Sequence, residues 1–109
     1  MNRGQSKVMD VVREYRKGLE ELFGDQLVKV IIYGSFARGE EKEESDVDIL
    51  CVLHGSFDYG EAIRKSSGLT ADLSLAHDLV LSRVFVSEED LATRNLPFFM
   101  NVRREGIPA

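Results

Sequence analysis

Asp46 and Asp48 stand two residues apart at the head of an apolar run, Val47-Asp48-Ile49-Leu50-Cys51-Val52-Leu53. A period of two puts both carboxylates on one face of a strand. Like charges on one strand face repel, and aspartate is a poor strand former. Acids so placed call for a compensating cation. Magnesium, gripped by hard oxygen ligands, is the natural one. A second ion would add the two-metal geometry, with metals about 3.5–4 Å apart serving both ends of a phosphoryl displacement. A third carboxylate is expected from a neighbouring strand. Asp78 is chosen because it opens the run Leu79-Val80-Leu81, while Asp72 and Asp58 sit in less regular surroundings. From spacing alone, Asp78 reads equally well as a solvated residue at a strand start.

Gly34-Ser35 directly follows the apolar stretch Leu27 to Tyr33. Glycine allows a tight turn and close approach of backbone to a phosphate. The serine hydroxyl and adjacent N–H groups suit β- and γ-phosphates. Arg38 can reach the same phosphates or pair with the glutamates that follow, and Gly39 lets the chain turn back. Alone, a Gly-Ser pair after a strand is usually a plain turn. Neither the P-loop pattern nor a dinucleotide fingerprint is present.

The two elements together carry more. Gly34-Ser35-Phe36-Ala37-Arg38-Gly39 is followed by Ser45-Asp46-Val47-Asp48-Ile49-Leu50, with ten residues between Ser35 and Asp46. This compound pattern resembles the signature of the nucleotidyltransferase superfamily related to DNA polymerase β, and in particular its smallest members, the minimal nucleotidyltransferases. The stretches Ser74 to Glu89 and Pro97 to Ile107 resemble the third-strand region and the tail of that group, so the likeness spans nearly the whole chain.

The resemblance implies that Gly34 and Ser35 hold a triphosphate, that Asp46 and Asp48 bind Mg²⁺, and that Asp78 is the third catalytic acid. It implies ATP as donor and no catalytic role for His77. Proteins of this group are commonly encoded beside an all-helical HEPN ribonuclease toxin, and the antitoxin transfers AMP to a tyrosine of the toxin. The implied partner is therefore a HEPN-type toxin, with a homo-oligomer as an option inside the complex. The competing reading is an antitoxin that masks the toxin by occlusion, which a lost third acid would favour. Transfer to a small-molecule acceptor is a further alternative. Antibiotic-modifying relatives, however, carry an additional domain for which this chain has no room.

The elements that must position these residues follow from periodicity. Val8, Val12, Tyr15, Leu19 and Leu22 recur at helical spacing and predict an amphipathic helix stopped at Gly24-Asp25. Leu27 to Tyr33 and Asp46 to Leu53 read as strands, with a helical turn over Phe36 to Gly39 and a charged loop over Glu40 to Glu44. A helix is expected over Asp58 to Ser66 with Gly68 beyond its end, then a third strand over Asp78 to Val86. Ser87, three residues before Asp90, resembles a cap leading into a short helix through Arg94. Leu96 to Met100 is an apolar patch, either the last of the core or a docking surface, and the tail is mixed. The expected fold is α+β, an α/β sandwich with a small mixed sheet flanked by helices.

Composition sets the limits. The chain has 109 residues, 43% hydrophobic and 30% charged, which argues for one domain with a modest core. Fourteen basic against nineteen acidic residues give a net charge of -5, against free nucleic acid as the main ligand. A lone cysteine, Cys51, excludes an internal disulfide and a cysteine-based zinc site. It reads as a buried core thiol on the strand face opposite Asp48. His54 and His77 read as ordinary strand-end or loop histidines, and Arg103 and Arg104 as a solvated tail or a small basic contact. No secretory pattern or membrane span is expected, and the setting is cytoplasmic.

Overall fold

The computed structural model describes residues 3–40 and 46–109. Ser45 and most of the charged loop expected before Asp46 lie outside them. Three helical segments and two strands come first: α1 (Arg3–Phe23), β1 (Leu27–Tyr33), α2 (Gly34–Ala37), β2 (Val47–Leu53) and α3 (Tyr59–His77). They are followed by β3 (Leu81–Ser87), α4 (Glu88–Thr93), α5 (Pro97–Glu105) and β4 (Ile107–Pro108).

The sheet order is β3-β2-β1-β4. β1 runs antiparallel to β2 and to β4, while β3 runs parallel to β2, so the sheet is mixed as expected. β2 lies inside it, and Ile49 through Leu53 are all fully buried. A strand covered on both faces needs such an unbroken apolar run.

Helices cover both faces. α1 lays Val8, Val12, Tyr15 and Leu19 against Val30, Ile32, Ile49, Cys51 and Leu53, with Ala62 and Leu73 of α3 in the same core. The other face carries Ile31, Leu50, Val52 and Val86 under Leu91 of α4 and Phe99 and Val102 of α5. Asp48 has the same parity as Leu50 and Val52, so it lies on the α4–α5 face. Cys51 lies on the opposite one, as the sequence implied.

Three expectations are corrected. First, α3 does not stop near Ser66; it continues past Gly68 to His77. Its buried stripe includes Ser66 and Thr70, polar residues that mask the helical period. They are tolerated because their hydroxyls donate to the carbonyls of Ala62 (2.8 Å) and Ser66 (2.7 Å). Ser66 Oγ also accepts from Arg83 Nε at 2.8 Å, and Tyr15 shares a hydrogen bond with Thr70 Oγ1 at 2.8 Å. Second, β3 begins at Leu81 and not at Asp78. Third, the mixed tail forms α5, opened by a proline in its first turn, and then the short β4. Ser87 caps α4 as anticipated, its Oγ accepting from Asp90 N at 3.0 Å. Among the described residues, no helix is long and apolar enough to cross a membrane.

Candidate active site

The site forms where β1 ends and β2 begins. β1 passes straight into α2 through Gly34, whose φ of +76° belongs to the left-handed region that favours glycine. Tyr33 pairs with Asp48 across the β1–β2 ladder. That register brings the Asp48 carboxylate onto Gly34, so closely that a Cβ there would collide with Asp48 Oδ2 and lie 3.2 Å from Asp48 Cγ. The glycine is thus demanded twice, by its backbone angle and by the carboxylate lodged against it.

α2 starts without a side-chain cap. The first N–H groups of a helical turn have no partner inside it, so Ser35 and its neighbours present donors beside Asp48. Arg38 follows directly, its N–H closing the turn onto Gly34 O at 3.2 Å. Its Nε meets Glu40 Oε2 at 3.1 Å and its Nη1 lies 3.6 Å from Glu105 Oε2 of α5. These neighbours, Glu40 first, make the guanidinium hold its proton more tightly than usual. Both expected roles of Arg38, phosphate reach and pairing with a following glutamate, are thus open to the same side chain.

Asp46 is exposed and Asp48 half-buried. Burial, then the Asp46 charge, raises the Asp48 carboxyl above its ordinary pKa, with Arg38 pulling the other way. Among the described residues neither carboxylate has a hydrogen bond or ion pair. Two hard-oxygen donors at the head of β2, near enough for one charge to act on the other, fit a magnesium ion. Such an ion commonly takes one or two carboxylates and completes its shell with water and substrate phosphates.

The expected third acid is not brought to this pair. Asp78 closes α3 in the left-handed conformation (φ 52°, ψ 49°), a backbone state that a short polar side chain tolerates. Among the described residues no three Asp, Glu, His or Cys side chains form a metal-binding group. The β2–β3 register sets Ser82 beside Asp48 and Val84 beside Leu50, so the neighbouring strand supplies a hydroxyl and an apolar side chain on that face.

The sequence did not point to the far wall. A pocket of about 210 Å³ lies between Tyr33, Gly34 and Arg38 on one side and Phe98, Asn101 and Glu105 of α5 on the other. Phe98 packs edge-on against Tyr33, with ring centroids 5.4 Å apart. Pro97, with Phe99 and Val102 three residues apart, was the available signal for this helix. Larger clefts of about 470 and 550 Å³ lie elsewhere, and neither is lined by Gly34, Asp46 or Asp48. Four other residues weighed above have surroundings or partners away from this site. Cys51 is fully buried, its thiol pushed up to about 12 by desolvation. His77 pairs with Glu14 and His54 with Glu88. Arg103 is not a free basic contact, since its Nη1 donates to the carbonyls of Leu91 and Arg94 at 2.7 and 2.8 Å.

A family model described as a nucleotidyltransferase domain matches residues 12–101. A Methanocaldococcus jannaschii protein named "putative protein adenylyltransferase" is 34% identical over 96 residues, covering 87% of this chain and 90% of its own length. The crystal structure of a "putative nucleotidyltransferase" from Sulfolobus solfataricus aligns with a TM-score of 0.69 at 20% identity, over 95% of this chain and 80% of that one. A toxin–antitoxin structure with AMP-PNP aligns with a TM-score of 0.54 at 18% identity, over 95% of this chain and 70% of that one. At such identities the two structures establish the shared fold.

Proposed function

Because the chain belongs to the nucleotidyltransferase domain family, we propose that it transfers AMP from ATP to a tyrosine hydroxyl of a helical HEPN-type toxin, and so acts as its antitoxin. The contact between Asp48 and Gly34 carries this reading. It puts the turn suited to phosphates against the carboxylate suited to their counter-ion. The M. jannaschii relative's name supports a protein acceptor, and the toxin–antitoxin structure with AMP-PNP supports a toxin as that protein and ATP as donor.

In this mechanism the N–H groups at the start of α2, the Ser35 hydroxyl and Arg38 take the β- and γ-phosphates. Asp46 and Asp48 are the magnesium ligands, and the bound ion would neutralise charge around the α-phosphate. Ser35 and Arg38 hold the triphosphate so that the tyrosine oxygen approaches the α-phosphorus in line with the departing pyrophosphate. The new phosphorus–oxygen bond forms as the one to pyrophosphate breaks. Among the described residues no third carboxylate joins the pair, and the phenol proton passes to water. Catalysis is then positioning and electrostatics, the general pattern for transfer at phosphorus.

One observation favours the second reading, an antitoxin that occludes its toxin without modifying it. Among the described residues no third Asp, Glu, His or Cys joins Asp46 and Asp48 in a metal-binding group. Co-expression with the protein encoded beside it, followed by intact-mass measurement of that protein, separates the two. Gain of AMP supports transfer. A tight complex of unmodified mass supports occlusion and refutes transfer.

A further inference from the structure

We propose that Glu105, at the end of α5, competes with the nucleotide's phosphates for Arg38 and thereby sets the affinity of the site for a triphosphate. The inference rests on the reading above that Arg38 takes phosphate. Arg38 and Glu105 face each other across the pocket that Gly34 also lines. Glu40 occupies Nε at 3.1 Å and Glu105 stands 3.6 Å from Nη1. Nη2 between them has no hydrogen bond among the described residues. A phosphate binds arginine best through two nitrogens on one edge of the guanidinium. Glu40 occupies the Nε edge and Glu105 stands beside the Nη1 edge, so a bidentate phosphate must either displace Glu40 or compete with Glu105 for the second edge.

Glu105 is the one placed to yield. Glu40 belongs to the turn itself, its N–H donating to Ser35 O at 2.9 Å, and it moves with Arg38. Glu105 comes from the opposite wall and lies beyond hydrogen-bond distance. Its other oxygen, Oε1, is 3.3 Å from Arg104 Nη2, so Glu105 keeps a cationic partner after Arg38 turns away.

Calorimetric titration of the full chain at low salt, with magnesium and AMP-PNP as probe and AMP as control, tests this. Glu105→Gln is expected to tighten AMP-PNP about threefold to fivefold, the size of an exposed charge interaction. AMP binding should not change, and the gain should shrink in high salt. It should vanish in an Arg38→Gln background, and Glu105→Asp should stay near the parent. Unchanged or weaker AMP-PNP binding by Glu105→Gln overturns the inference, as does an equal gain without Arg38. Failure of the parent chain to bind AMP-PNP at all overturns the functional reading beneath it, which is a distinct result.

Discussion

Gly34→Ala separates two costs that the structure superimposes at one residue. The first is conformational. An alanine at φ +76° sits in the left-handed region, at about 1–2 kcal/mol. The second is steric, because the new methyl group would occupy the space of Asp48 Oδ2. Gly55 supplies the control. Its φ is +75°, and a Cβ there would meet nothing within 4 Å. Gly55→Ala therefore carries the backbone cost alone, and thermal unfolding should show a fall of roughly 4–8 °C per kcal/mol. Gly34→Ala should unfold at the same temperature or lower. It must also push Asp48 aside, and a misplacement of about 1 Å at a reacting centre costs on the order of 100-fold in rate. AMP transfer to the partner, followed with labelled ATP, should fall by that order in Gly34→Ala and stay near the parent in Gly55→Ala. Equal transfer by the two variants would refute the argument that Gly34 makes room for the carboxylate.

Replacing both Asp46 and Asp48 by Asn should abolish magnesium-dependent AMP transfer while unfolding temperature holds or rises, since a like-charge pair is removed; undiminished labelling would sink the metal assignment. Stability should decline in alkali. Burial raises Tyr15 from 10.0 to about 12 and Cys51 from 9.0 to about 12, so the folded state keeps protons that the unfolded chain releases. The stability these groups lend is whole below about pH 9 and is lost between there and pH 12. Each removes about 1.4 kcal/mol per pH unit within its own window, which urea titrations across that range would reveal. Cys51 should resist alkylation in the native protein and react on unfolding; rapid native labelling would contradict its burial. Tyr15→Phe should cost about 1 kcal/mol in urea unfolding, because Thr70 keeps its bond to the Ser66 carbonyl and loses only the phenol.

Sequence patterns worked where a single local rule decided the outcome. The spacing of Val8, Val12, Tyr15 and Leu19 located α1. The unbroken apolar run after Asp48 located β2, and Ser87 before Asp90 located the start of α4. Local rules failed where a distant partner altered the balance. Ser66, Gly68 and Thr70 look like the end of a helix, yet α3 continues because backbone carbonyls, Arg83 and Tyr15 satisfy its buried hydroxyls. Asp78 looks like a strand residue beside an apolar run. Its place was settled by where α3 ended and by the pairing of Val47 with Leu81.

The same division holds for the site. By itself the sequence determined the chemistry on offer: Gly34 and Ser35 at a strand end, Arg38 close behind, and two aspartates at strand period. These are one-dimensional facts, since residue type and spacing along a strand or turn set them. Tertiary structure alone decided that Tyr33 pairs with Asp48 and so lodges a carboxylate on Gly34. It also decided that the β3 neighbour of that carboxylate is Ser82, and that Glu105 reaches back across 67 residues of chain to Arg38. Strand register and helix docking create such contacts, and both are fixed by burying the two faces of one sheet rather than by any property of the residues that end up in contact.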